Sequence, residues 1–133
     1  MTKQERNIIE REFYKYKANK REAENYTVCA VAYSNTSPCG ERVKTSGSNT
    51  TEQHLIRAID EAERMRAWCM VFEKTLEKFK WEQKDKLMLK RYIEQKSIWR
   101  TCEEIGIERR TYYYWLDGIL RAAYLWAGEL KLI

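Results

Sequence analysis

The chain is expected to be all-α, a long helical hairpin followed by a C-terminal helix-turn-helix. Three observations carry that expectation. Five glycines and one proline among 133 residues leave little material for a strand-and-turn fold. Apolar residues recur every three or four positions from Leu55 to Phe79. The last fifty residues read as three short helical segments with a turn glycine between the final two.

The first segment, 1–33, is a helix. Lys, Arg, Glu and Gln crowd residues 2 to 25 without a breaker, and Ile9, Phe13 and Tyr16 share one face. "TVCAVAY" (27–33) fits either a continuation of that helix or a short extended piece. Residues 34–50 hold the only proline and many Ser, Thr and Asn, which predicts a flexible loop. Asn49 with Glu52, or Thr50 with Gln53, then has the spacing of a helix-starting capping box. Across 51–83, Leu55, Ala58, Ala62, Met65, Cys69, Phe72, Leu76 and Phe79 form a seam of about three heptads. That seam needs cover, from the first helix or from a second copy in a homodimer through residues 55–79.

Residues 84–133 carry ten basic and seven acidic residues, and account for most of the net charge of +5. Asp85 is the expected N-cap of a helix over 84–95, with Leu87, Leu89, Tyr92 and Ile93 as its apolar set. Ser97 is the expected cap of the next, whose buried stripe is Ile98, Cys102 and Ile105. Gly106 ends it where a left-handed residue is wanted. Cys102, four before Gly106, is small enough for two helices to cross closely, and Ile107 plugs the corner. The last helix then splits its aromatic run by period. Tyr112, Trp115, Ile119 and Leu120 face inward, while Arg109, Arg110, Thr111, Tyr113 and Tyr114 face out.

The outward set suits double-stranded DNA. Arginine grips guanine or phosphate bidentately, and tyrosine reaches phosphates and thymine methyls. Lys84, Lys86, Lys90, Arg91, Lys96 and Arg100 surround the motif with positive charge. No paired carboxylates or phosphate-cradling glycine loop point to an enzyme, so no catalytic residue and no cofactor is expected. Cys29, Cys39, Cys69, Cys102 and His54 lack metal-ligand spacing and read as ordinary side chains of a reduced, cytoplasmic protein in a bacterial host cell. The charged N-terminus is unlike a signal peptide, and no run is long enough for a membrane span.

"KLMLKRYIEQKSIWRTCEEIGIERRTYYYWLDGIL" resembles region 4 of bacterial sigma factors, with its capped helix, glycine turn and recognition helix. More of the chain is similar to the RinA/ArpU-like family of phage late-transcription regulators. These share an N-terminal helix, a Gly/Ser-rich loop followed by "TE", a long helix, and a helix-turn-helix with a T-Y-Y-W-type recognition helix. The resemblance is specific over about 87–120. It implies a sequence-specific DNA-binding regulator, an activator of phage or prophage late genes. By the match, Ser97 and Arg100 would contact phosphates, and Arg109, Arg110, Thr111, Tyr113 and Tyr114 would read bases or backbone; Lys96, beside them, is expected to contact phosphate through its charge. Two rival assignments stand beside it: a DNA-recognition subunit of a phage terminase, and a helical module whose basic face binds RNA polymerase rather than DNA. Glu108 departs from the pattern, standing where Ser or Thr caps the recognition helix.

Overall fold

The computed structural model describes residues 1–35 and 47–133, and the side chains of residues 1–25 and 52–133. The described residues are helical and contain no strand, so the fold is all-α. The order is α1 (Lys3–Tyr14), α2 (Tyr16–Asn35), α3 (Gly47–Lys78), α4 (Lys84–Met88), a π-helical turn (Leu89–Ile93), α5 (Ile98–Ile105) and α6 (Arg109–Glu129). The backbone of 27–33 is helix, which resolves the choice left open by "TVCAVAY". Most of the predicted 34–50 loop lies outside the described residues. Helix α3 is already formed at Gly47, ahead of the expected start, and the Asn49 and Thr50 side chains of the proposed capping box lie outside the description.

A capping box does occur at α1, unpredicted. The Thr2 Oγ1 accepts the Glu5 N–H at 3.2 Å, and the Glu5 carboxylate accepts the Thr2 N–H at 2.7 Å. The first helix is interrupted once, at Lys15, where α1 passes into α2.

The described chain divides into two compact units, Met1–Lys17 with Ala67–Ile133, and Ala18–Arg66. In the first unit, Ile9 and Phe13 of α1 are fully buried with Val71 and Phe72 of α3, Leu87 and Met88 of α4, Tyr92, and Tyr112, Ile119, Leu120 and Ala123 of α6. Phe13 sits edge-on to Phe72 at 5.1 Å and to Tyr92 at 5.3 Å, while Tyr16 stacks on Phe72 at 4.3 Å. The seam from Trp68 to Phe79 is therefore buried against α1, α4 and α6 of the same unit. The buried face is also wider than an a/d stripe, because Trp68, Val71 and Thr75 join it. Thr75 is accommodated by donating its hydroxyl to the Val71 carbonyl at 2.7 Å.

In the second unit the seam is thinner. Leu55, Ala58 and Met65 are half-buried, and Ala23 and Ala62 are buried. The Arg66 guanidinium donates to the Ala23 carbonyl at 3.4 Å.

Two local expectations fail at α4. Gln83 precedes the helix in a left-handed conformation (φ 64°), and Asp85 lies inside the first turn with Oδ1 buried and unpartnered. The helix then widens: the Glu94 N–H bonds the Leu89 carbonyl at 3.0 Å, five residues back, and the chain turns out at Gln95 (φ 54°). Leu87, Met88 and Tyr92 are buried, whereas Leu89, expected inside, is exposed.

Candidate nucleic-acid interface

Helix α5, the turn at Gly106 and helix α6 build the site. Ser97 has extended backbone and its Oγ accepts the Arg100 N–H at 3.2 Å, as the sequence predicts for an N-cap. Thr101 is fully buried beside it and donates its hydroxyl to the Ser97 carbonyl at 2.8 Å. Gly106 has φ 80° and ψ 37°. The N–H groups of Gly106 and Ile107 both bond the Cys102 carbonyl, at 2.9 and 3.0 Å. A side chain at 106 would have room, so the backbone angle alone makes glycine the suitable residue. Cys102 is buried at the crossing, and Ile107 packs on the core from the corner. Glu108 occupies the N-cap position of α6 and makes no side-chain capping bond.

The faces of α6 follow the sequence expectation with one exchange. Tyr112, Ile119 and Leu120 are buried, but Trp115 is only half-buried, and Leu116 takes the fourth inner position. On the outer side, Arg109 and Arg110 are exposed, Thr111 is half-buried, and Tyr113 and Tyr114 are 43% and 76% exposed. The Arg109 guanidinium lies 5.9 Å from the centre of the Tyr113 ring, and its hydrogen bond to Tyr113 holds its pKa above the usual arginine value.

Tyr112 anchors this end of the helix. Its hydroxyl accepts the Arg91 Nε–H at 3.1 Å, while Arg91 Nη1 donates to the Lys96 carbonyl at 2.8 Å and the guanidinium covers the Tyr14 ring. Burial, chiefly, raises the Tyr112 pKa, so its proton stays on. Arg91, counted by sequence among the surrounding cations, is turned inward instead.

The remaining cations differ in availability. Arg100 is exposed, its side chain 67% accessible. Lys96 is half-buried, and its Nζ lies 2.7 and 2.8 Å from the two Glu104 oxygens, with Lys90 Nζ at 3.1 Å from the same carboxylate. Lys96 is thus ion-paired within the chain. Hydrogen bonds from Lys96 and then Lys90 hold the Glu104 carboxyl below the usual range.

Trp99 is the residue that sequence reading passed over. It is 74% exposed on α5 and lines a cleft of about 360 Å³ with Ile98, Cys102, Glu103, Ile107 and Arg109. The signal was present: an inward stripe through Ile98 and Cys102 points residue 99 outward by the helix period. Comparison of the chain with protein families, with curated proteins and with solved structures finds no match.

Proposed function

We propose that the protein is a sequence-specific double-stranded-DNA-binding transcription regulator whose α5 and α6 form a helix-turn-helix, with α6 as the reading helix. The observation that carries this is the split of α6 after a left-handed glycine turn. Its N-terminal turns expose Arg109, Arg110, Tyr113 and Tyr114, while Tyr112, Leu116, Ile119 and Leu120 fix it to the core. A cationic, aromatic helix end of this kind offers bidentate donors for guanine and hydroxyls for phosphate. Ser97 and Arg100, at the start of α5, would contact the backbone. On the sequence resemblance to RinA/ArpU-like regulators, the proposed targets are phage or prophage late genes in the bacterial cytoplasm.

The test is binding to specific and scrambled duplexes over a salt series, the specific sites taken from genome-wide mapping of bound DNA. Arg110→Ala is expected to lose about 1–3 kcal/mol and relax preference at one base pair. Arg109, held beside Tyr113, is expected to behave as a phosphate contact and lower the salt slope by about one. If both single variants bind the specific duplex like the parent, α6 is not the reading helix.

A further inference from the structure

We propose that Lys90, Lys96 and Arg100 form a phosphate nest for duplex DNA, and that Glu104 occupies this nest in the unbound protein and competes with the DNA backbone for it. The inference rests on the DNA-binding reading above and assigns that surface an internal competitor.

The cations come from three separate stretches of chain: the π-helical turn, the connection before α5, and α5 itself. They converge on one carboxylate. Lys96 Nζ stands 2.7 Å and Lys90 Nζ 3.1 Å from Glu104 Oε2, and Arg100 Nε stands 4.0 Å from Oε1. Glu94 is a second, looser acid, 3.8 Å from Lys96. A carboxylate and a phosphodiester both carry one negative charge over two terminal oxygens, so a site that seats the first has the charge and donors for the second.

The occupant is free to leave. Glu104 is exposed, and three rotatable bonds let its carboxylate swing aside while the lysines keep their positions. Arg91 is the contrast. Its guanidinium bonds go to the Tyr112 hydroxyl and a backbone carbonyl, and it is not available to a ligand. Exposed ion pairs contribute little to stability. The effect of Glu104 should therefore appear in binding, where DNA must displace it, rather than in folding.

The experiment is a double-mutant cycle on duplex binding in the full chain. Glu104→Gln is expected to tighten binding about three- to tenfold near 0.1 M salt and to steepen the salt slope by about one to two, as the lysines become free to displace counterions. Lys96→Gln should change affinity little beside Glu104, but several-fold in the Glu104→Gln background. Glu129→Gln, at the far end of α6, removes the same charge and should tighten binding less. The proposal is overturned if Glu104→Gln binds with parental affinity and slope, if it matches Glu129→Gln, or if Lys96→Gln has the same effect in both backgrounds. If neither the parent nor Glu104→Gln binds any duplex, the DNA-binding reading itself fails. Parental binding without the coupling removes only the competitor. Circular dichroism of Glu104→Gln should match the parent, which separates release of the nest from loss of fold.

Discussion

Phe72→Ala tests whether the long helix and the segment from 84 onward share one core. Phe72 is 1% exposed and touches rings on both sides, with Phe13 edge-on and Tyr16 stacked. Truncation to Ala removes transfer energy of roughly 3 kcal/mol, taking about 25 cal/mol per Å² of buried apolar area. Each lost ring pair adds about 0.5–1.5 kcal/mol. Partial collapse of the site recovers some of this, and the expected loss is about 4 kcal/mol, within the usual range for a buried aromatic. For a chain of this size that lowers the melting temperature by roughly 12–20 °C. Because Phe13 links Phe72 to Tyr92, the loss should extend beyond α1 and α3 to α6. The assay is a thermal melt by circular dichroism with amide hydrogen exchange. A melt within a few degrees of the parent refutes the burial argument. Exchange protection in α6 that stays parental while α3 opens refutes the shared core.

The other predictions are local. Leu116→Ala should cost about 2–5 kcal/mol, and Trp115→Ala distinctly less, since only the first is buried; equal denaturation midpoints would contradict this facing of α6. Gly106→Ala should cost about 1–2 kcal/mol from the left-handed backbone alone, because nothing lies near the added carbon; a neutral result in a urea melt would show that the turn relaxes. Glu104 has a folded pKa below its unfolded value, so its ion pairs add stability above the unfolded pKa and lose it as pH falls through the folded one. Carboxyl NMR should find its midpoint below the ordinary 4.5, and Lys96→Gln should raise it.

Much of this fold is written in period and punctuation. Ser97, Gly106 and the exposed pair Tyr113 and Tyr114 follow from a cap residue, a positive-φ residue and a 3.6-residue repeat, all local rules. The failures come from tertiary packing. Nothing near Leu89 announces a π-helical turn, and only the packing of Leu87, Met88 and Tyr92 against neighbours distant in sequence shows that Leu89 is left outside. Trp115 and Leu116 are adjacent, and only the path of α6 across the core decides which is covered. Lys96 reads in the sequence as a free cation ready for phosphate. Its pairing with Glu104 joins residues eight apart across a change of direction, which period cannot foresee.

The proposed reading end of α6 has an uneven set of supports. Glu108 makes no cap, so the first turn lacks a side-chain partner for its N–H groups. The helix is instead fixed from its middle onward, where Ile119, Leu120, Ala123 and Ala127 are fully buried. Ahead of those, Tyr112 is the one fully buried side chain within the first two turns, and its hydroxyl accepts the Arg91 Nε–H. Arg91 also binds the carbonyl of Lys96, so a single guanidinium ties the start of α6 to the approach to α5. Arginine suits this role because its planar, permanently charged fork donates in two fixed directions, whereas lysine offers a point charge. The orientation of Arg109 and Arg110 toward a ligand therefore depends on a residue that is itself turned away from it.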